Sequence, residues 1–116
     1  MRQSIQPDDR IFVAGAKGMV GSSIVRKLRE KGYGDNKYGG SLLSPTKNEL
    51  DLTNFNSVKK WFEINKPTLV IIAAAKVGGI LANSTQPATF LLENLKIQTN
   101  LIESAFSYGS RRLLFL

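Results

Sequence analysis

Neither cysteine nor histidine occurs among the 116 residues of this chain. Without cysteine there is no disulfide and no thiolate that could act as a nucleophile or a metal ligand. Without histidine there is no imidazole, the side chain that most often exchanges protons in enzymes. Disulfide staples, zinc sites, cysteine nucleophiles and histidine bases are therefore excluded within this chain.

Long apolar runs are missing as well. No apolar stretch approaches the roughly 20 residues that a membrane-spanning helix needs. Residues 1–10 are polar and lack the apolar core of a signal peptide. These two features predict a cytoplasmic protein that does not enter the membrane.

Acidic residues are few: 9 stand against 16 lysines and arginines, so the net charge is +7. This balance favours solubility or the attraction of a multiply anionic ligand. The basic residues are scattered and have no aromatic residues between them, which argues against nucleic acid as a partner. The length, together with a hydrophobic content of 42%, predicts one ordinary globular domain.

The strongest motif of the sequence lies between Arg10 and Val25. A short apolar run ends in three glycines at three-residue spacing, Gly15, Gly18 and Gly21, and an apolar-periodic segment follows at once. This is the strand, tight turn and helix start that bind the pyrophosphate of a dinucleotide. Gly15 permits the turn, Gly18 lets backbone N–H groups approach phosphate oxygens, and Gly21 lets the helix pack closely on the strand.

The start of that helix adds an electrostatic reason, because its first N–H groups and its partial positive charge attract an anion. A plain structural turn is the alternative interpretation of the glycines. The residues of the turn that are predicted to meet the cofactor are Gly15, Ala16, Lys17, Gly18, Met19, Val20 and Gly21.

Strands and helices alternate along the chain after a flexible leader at residues 1–9. Predicted strands cover residues 10–14, 41–44, 68–75 and 111–116, with a minimal edge strand at 48–52. Predicted helices run from the glycine turn to Lys31, from Thr53 or Asn54 to the residues before Pro67, and from Pro87 to about Tyr108. Apolar spacing predicts that the second helix turns Phe55, Val58, Trp61 and Phe62 inward, and that the third turns Leu91, Leu95, Ile102 and Ala105 inward.

This alternation, with short connections, predicts an α/β fold: a Rossmann-like doubly wound parallel sheet. The strand at 68–75 is apolar throughout and is therefore predicted to be central and buried on both faces. Right-handed crossovers place the strand at Leu42 and the strand at 69–74 on either side of the first strand. Ligands bind in this architecture at the carboxyl end of the first strand, where the strand order reverses.

The residues after the second strand bear on the choice of cofactor. A site for NAD usually has a carboxylate there to bind the ribose 2′-hydroxyl, whereas NADP needs cations. Here the sequence from Ser44 to Lys47 contains no carboxylate. Lys17 and Lys47 are predicted to face a 2′-phosphate, so the expected cofactor is NADP (NADPH), with Ser44 beside it; two solvated surface lysines are the alternative.

Four segments together resemble the GDP-L-fucose synthases, which are NADP-dependent extended short-chain dehydrogenases. The glycine motif alone indicates only the larger group, and the run from Ala73 to Gly79 is the specific part. The resemblance covers about residues 10–116. The segments are Arg10–Gly21 (RIFVAGAKGMVG), Glu49–Leu52 (ELDL), Ala73–Ile80 (AAAKVGGI) and Glu93–Asn94.

The resemblance implies that residues 10–116 are the N-terminal part of an NAD(P)-binding Rossmann domain. It implies the family's activity, the 3,5-epimerisation of GDP-4-keto-6-deoxy-D-mannose and its NADPH-dependent 4-reduction to GDP-L-fucose. The family's catalytic Ser, Tyr and Lys, with its Cys and His, fall beyond this segment, so no catalytic residue is assigned. The resemblance also implies a homodimer, and a GDP-sugar substrate held only in a full-length form.

Further cofactor contacts follow from the same resemblance. Asp51 and Leu52 correspond to the pair that meets the adenine, although an Asp that caps the next helix is a compatible alternative. Lys17 and Lys47 stand where the family typically has arginines; lysine keeps the charge but loses bidentate geometry.

The end of the central strand carries the remaining contacts. Ala73, Ala74 and Ala75 are small enough for the ribose of the cofactor to approach, with core packing as the alternative. Lys76 follows them and is expected near a phosphate. Asn94 corresponds to an asparagine that props the strands, with ordinary polar packing as the alternative.

The spacing of Tyr33 and Lys37 matches the catalytic Tyr-x-x-x-Lys pair of short-chain dehydrogenases. That pair works on a helix, where residues four apart share a face. Tyr33 and Lys37 lie instead in a glycine-rich loop at the amino ends of the strands, so a catalytic role is not expected.

Two alternatives to a GDP-L-fucose synthase remain. One is a catalytically inactive, truncated nucleotide-binding fragment, because whether this chain alone is an enzyme is open. The other is a related NAD-dependent sugar-nucleotide epimerase or dehydratase, against which the run from Ala73 to Gly79 argues.

Overall fold

Four parallel strands and three helices make up the computed structural model, which describes residues 4–73 and 87–116. A 3₁₀ turn at Asn36–Tyr38 precedes the second strand. In chain order the elements are β1 (Arg10–Ala14), α1 (Met19–Glu30), β2 (Ser41–Leu43), α2 (Phe55–Asn65), β3 (Leu69–Ile72), α3 (Pro87–Ser107) and β4 (Arg112–Phe115).

The strand order is β2-β1-β3-β4, and all neighbours are parallel. In the register of the central pair, Ile11 lies opposite Leu69 and Val13 opposite Ile71. The predicted Rossmann-like α/β sheet is therefore confirmed, with β2 and β3 on either side of β1. The order reverses at β1, and this places the carboxyl end of β1 at the switch point of the sheet.

Successive residues of β1 and β3 enter two different cores, because side chains alternate across a strand. Phe12 and Val70 pack with Val58 of α2 and Leu101 of α3 on one face of the sheet. Ile11, Val13, Leu69 and Ile71 pack with Leu28 of α1 on the other face. Helices cover both faces, and this explains why β1 and β3 are continuous apolar runs.

The predicted edge strand at 48–52 is wrong, because local hydrogen bonds hold this segment in a turn. The backbone N–H groups of Glu49 and Leu50 donate to the carbonyl of Thr46, at 3.0 and 2.9 Å. The Glu49 carboxylate accepts from the Thr46 amide at 2.8 Å, and the Thr46 hydroxyl accepts from the Glu49 amide at 3.2 Å. These reciprocal bonds form a capping box, which satisfies the backbone without a partner strand.

The inward faces of α2 and α3 were predicted only in part. Asn54 caps α2 by accepting from the amide of Ser57, and Val58 and Phe62 are buried, but Phe55 is exposed. The prediction for α3 is wrong except at Ala105. Leu91, Leu95 and Ile102 are exposed, whereas Ile97, Leu101 and Ala105 are buried.

The inward face of α3 was predicted wrongly because the helix carries two apolar faces. At 100° per residue, these faces lie about a third of a turn apart around the helix axis. Both faces have helical periodicity. The pattern therefore identifies a helix without showing which face meets the sheet.

A buried carboxylate joins the amino ends of three strands. Asp9 is 3% exposed and accepts from the Thr68 hydroxyl at 2.7 Å and from the guanidinium of Arg111. The backbone amide of Gln6 donates to the same carboxylate at 2.7 Å. Asp9 thus ties β1 to the residues that precede β3 and β4.

Burial by itself raises the pKa of Asp9, whereas the hydrogen bonds from Gln6 and Thr68 lower it. The hydrogen bond and the charge of Arg111 lower the pKa further, and the net pKa lies below the ordinary value of 3.8. A carboxyl group with a lowered folded-state pKa stabilises the fold above its unfolded pKa, and this contribution is lost as the pH falls through the folded value.

We expect Asp9→Asn to lower the free energy of unfolding at pH 7 by about 2 kcal/mol, because it removes the charge that Arg111 pairs with. Urea unfolding at pH 7 and at pH 3 measures this, and the difference from the wild type should shrink at pH 3. Asp8→Asn, at the exposed neighbour, is the control. Equal losses in the two variants would show that the ion pair contributes nothing.

Candidate functional site

The glycine turn follows β1 directly. Gly15 has a φ of +84°, a left-handed conformation that favours glycine. The amide of Gly18 donates to the carbonyl of Gly15 at 3.0 Å, and α1 begins at the next residue. The chain therefore passes from the end of β1 to the start of α1 in four residues, as the motif predicts.

Gly21 lies against this turn and is buried. A Cβ atom at Gly21 would lie 1.9 Å from the carbonyl oxygen of Gly15 and 3.0 Å from the Cα of Ala16. A Cβ atom at Gly18 would find its nearest atom, the same Gly15 oxygen, at 3.4 Å, an ordinary contact. A glycine at position 21 is thus required for α1 to pack against the turn, whereas the backbone around Gly18 leaves room for a Cβ atom.

A pocket of about 520 Å³ opens at the carboxyl ends of β1 and β3. Its size is typical of a small-molecule site. The glycine turn forms one wall, the loops that follow β2 and precede α2 form another, and α3 closes the third side. This is the position at which the doubly wound architecture binds its ligands.

The structure brings most of the predicted site residues together. The predicted residues that line the pocket are Gly15–Gly18, Lys47, Asp51, Leu52 and Ala73. Met19, Val20, Gly21 and Ser44 do not line it: Met19 and Val20 are exposed on the first turn of α1, Ser44 is exposed, and Gly21 packs behind the turn. Ala74, Ala75 and Lys76 lie outside the described residues.

The charged side chains that line the pocket are two lysines, Lys17 and Lys47, and two carboxylates, Asp51 and Glu93. The two lysines approach the pocket from two different loops. The first turn of α1, Met19 to Ser22, has no acidic side chain to offset the partial positive charge of the helix start. The side of the pocket formed by the glycine turn and Lys47 is therefore suited to an anionic group of a ligand.

The carboxylate of Glu49 lies near Lys17. The amide and the hydroxyl of Thr46 hold the pKa of Glu49 below its ordinary value, and the charge of Lys17 lowers it further. Glu49 thus stabilises the loop that presents Lys47 and also weakens the positive potential around Lys17.

Asp51 lines the pocket and also makes local hydrogen bonds just before α2, although it is not the cap of that helix. Its Oδ1 atom accepts from the amide of Thr53 at 3.0 Å and from the Thr53 hydroxyl at 2.6 Å. These bonds form a turn before Asn54, the true cap of α2. The backbone carbonyl of the next residue, Leu52, accepts from the side-chain amide of Asn100 at 2.9 Å.

Several lining residues were not predicted. Thr46 and Glu49 have the Thr-x-x-Glu spacing of a capping box, which the sequence could have indicated. The residues from α3 had no local signal, because only the packing of that helix brings them to the pocket. The additional lining residues include Phe12, Ala14, Pro45, Thr46, Glu93 and Ile97.

Tyr33 and Lys37 lie away from this pocket. Tyr33 packs against the core on the α1 side of the sheet, and Lys37 belongs to the 3₁₀ turn. Gly40, which ends this loop, lies close to Pro7 and Asp9 at the amino end of β1. The predicted separation of this pair from the carboxyl ends of the strands is confirmed, and neither residue lines the pocket. Asn94 is partly buried on α3.

Within residues 4–73 and 87–116, no group of three or more acidic residues could hold a metal ion. No helix in the described part of the chain has both the length and the apolar character needed to cross a membrane.

Comparisons with known proteins agree with this architecture. Residues 11–116 match the NAD dependent epimerase/dehydratase family. The chain is 53% identical over 107 residues to GDP-L-fucose synthase 1 of Arabidopsis thaliana, covering 92% of this chain and 31% of that protein. It is 41% identical over 107 residues to the GDP-L-fucose synthase of Escherichia coli K12, covering 92% and 32%. The chain thus spans about a third of the length of these relatives.

Solved structures are similar too. The GDP-mannoheptose C4 reductase MlghC of Campylobacter jejuni, with NADP bound, matches with a TM-score of 0.85 and 36% identity over 97% of this chain and 33% of that one. A GDP-L-fucose synthetase of Naegleria fowleri bound to NADP matches with a TM-score of 0.77 and 25% identity, over 97% and 32%.

Proposed function

This chain belongs to the NAD dependent epimerase/dehydratase family, and on that premise we propose that its pocket binds NADP(H) as the cofactor-binding part of a GDP-L-fucose synthase. The observation that supports the proposal most directly is the pocket itself, which is lined by the glycine turn with its Lys17 and, from another loop, by Lys47. The names of the relatives and the NADP bound to similar structures support the choice of cofactor.

Each wall of the pocket has a part in this proposal. The turn from Gly15 to Gly21 and the first N–H groups of α1 hold the pyrophosphate. Lys17 and Lys47 bind the 2′-phosphate, with Ser44 at the edge of the same loop. Asp51 and Leu52 meet the adenine. The contacts of Ala74, Ala75 and Lys76 stay predictions, and Ala73 stands at the pocket where the ribose is expected.

The proposed reaction of the whole protein is that of the family: 3,5-epimerisation of GDP-4-keto-6-deoxy-D-mannose followed by 4-reduction. NADPH supplies the hydride for the reduction. The residues of this chain bind and orient the cofactor, and none of them is proposed as catalytic. A second candidate is nucleotide binding without turnover, which the absence of histidine and cysteine favours.

Partners and location stay predictions. If two copies of the chain pair, as expected for a homodimer, the exposed apolar face of α3 is a surface that they could share. This face is formed by Leu91, Leu95, Ile102 and Phe106. A GDP-sugar substrate, the absence of nucleic acid and a cytoplasmic location are likewise expected.

Thermal unfolding of the 116-residue chain with NADPH or NADH tests the proposed function. A ligand that binds only the folded state raises the unfolding midpoint. We expect NADPH at about 100 times its Kd to raise the midpoint by roughly 10 °C, and NADH at the same concentration to raise it less. Equal shifts would contradict the preference for NADP, and no shift with either dinucleotide would contradict the site as a whole.

A further inference from the structure

A buried amide on α3 contacts the wall of the pocket. Asn100 is only 7% exposed, and it lies among the apolar residues Ile97, Leu101 and Ala105 on the inner face of the helix. A polar side chain in such a place is costly unless it is hydrogen-bonded. Its Nδ2 atom donates to the carbonyl of Leu52 at 2.9 Å, across 48 residues of sequence.

The carbonyl that Asn100 holds belongs to the loop between β2 and α2. The shape of this loop is set locally, by the bonds from Thr53 to Asp51 and by the bond from the Asn54 amide to the Asp51 carbonyl at 3.1 Å. Those local bonds do not determine where the loop stands relative to the sheet. Leu50 anchors the loop in the core, and the bond from Asn100 holds the Leu52 carbonyl to α3, which is packed on the sheet through Leu101.

The same region of α3 also reaches the pocket. Ile97, one turn before Asn100, lines the pocket together with Asp51 and Leu52. A shift of the loop away from Asn100 would therefore change the distance between Asp51 and anything bound against Ile97.

We propose that Asn100 is a positioning residue of the pocket: by holding the Leu52 carbonyl it places the Asp51 carboxylate against the nucleotide base and so sets a preference for a base that carries an amino group. This inference rests on the proposed function, because it takes the base of the dinucleotide to lie against Asp51 and Leu52. Adenine offers a 6-amino donor to a carboxylate. Hypoxanthine offers a carbonyl oxygen at the same place, which a carboxylate repels.

Ser104 provides a matched control on the same helix. It lies one turn beyond Asn100 and is equally buried, but its Oγ atom has no hydrogen-bond partner in the part of the chain that the structure describes. Ser104→Ala therefore changes a buried polar side chain of the same helix without removing a bond to the pocket.

The experiment compares the Kd values of NADP and of its deaminated analogue, in which hypoxanthine replaces adenine. They are measured by calorimetry for the wild type, Asn100→Ala, Asn100→Leu and Ser104→Ala. Asn100→Leu fills a similar volume, so at least one variant keeps the packing of α3. We expect the wild type to prefer the adenine form by roughly tenfold or more, as a hydrogen bond to a charged acceptor allows. Both Asn100 variants should reduce this preference to within about threefold, and Ser104→Ala should keep it.

The outcomes separate this inference from the proposed function. If Asn100→Leu keeps the wild-type preference and lowers only the thermal stability, Asn100 is structural and the inference is overturned. If the wild type binds NADP but does not distinguish the two bases, the inference also fails while the proposed cofactor site stands. If the wild type binds neither dinucleotide, it is the proposed function that fails, and the inference fails with it.

Discussion

Replacing Gly21 by alanine should lower the free energy of unfolding by about 3 kcal/mol and abolish the stabilisation by NADPH. The added Cβ atom would lie 1.9 Å from the carbonyl oxygen of Gly15 and 2.7 Å from its carbonyl carbon. Both are backbone atoms of the turn, so no side chain can move aside to relieve the overlap. Helix α1 must then shift away from the end of β1, and the N–H groups that are proposed to hold the pyrophosphate shift with it.

Gly18→Ala is the control, because its effects on folding and binding should differ. Gly18 has a φ of −72°, which suits any residue, and its added Cβ atom would meet only the Gly15 oxygen at 3.4 Å. The stability should therefore change little. Gly18 lines the pocket, however, so the methyl group should weaken NADPH binding by about tenfold, because it obstructs the approach of the phosphates to the backbone.

Thermal unfolding with and without NADPH measures both effects for the two variants. A Gly21→Ala protein with wild-type stability would show that the turn can relax, contrary to its packing. Wild-type affinity in Gly18→Ala would place the phosphates elsewhere in the pocket.

Replacing both Lys17 and Lys47 by alanine should remove the preference for NADPH over NADH. A charge-assisted hydrogen bond contributes about 1.5–3 kcal/mol, so we expect each single replacement to weaken NADPH binding roughly tenfold and the double replacement roughly a hundredfold. NADH lacks the 2′-phosphate, and its affinity should change little. The measurement is the Kd of each dinucleotide at one fixed ionic strength, because salt screens such exposed charges.

Two further variants make the test specific. Lys31→Ala removes an exposed lysine at the far end of α1 and should leave both affinities unchanged. Glu49→Gln should strengthen NADPH binding, because it removes the carboxylate that lies near Lys17 while glutamine can still accept from the Thr46 amide. A parallel loss of NADH affinity in the double variant would show that the two lysines serve the pyrophosphate instead.

Much of the fold could be predicted because its signals are local. The bounds of β1 at Arg10–Ala14 follow from a short apolar run that ends in a glycine turn. Helix α1 was predicted to run to Lys31, and the next residue, Gly32, has a φ of +83°, a left-handed conformation that favours glycine. The order of β2, β1 and β3 follows from the handedness of crossovers, which applies to any chain that alternates strands and helices.

The errors arose where a local pattern allowed two structures. Residues 48–52 are short and partly apolar, which suits an edge strand, but Thr46 and Glu49 close a turn first. In α3, two apolar faces have the same periodicity, and the packing of the sheet on Ile97 and Leu101 selects one of them.

The sequence by itself determined the three helices, the four strands and the glycine turn of the candidate site, since each depends on residues within a few positions of one another. The placement of β2 and β3 on either side of β1 followed from the general handedness of crossovers. Only the tertiary structure decided which face of α3 is buried, and that Asn100 holds the carbonyl of Leu52. It also decided that Asp9 pairs with Arg111, which is 102 residues away. Such contacts depend on how helices and strands from distant parts of the chain pack together, and no local pattern of residue types encodes that packing.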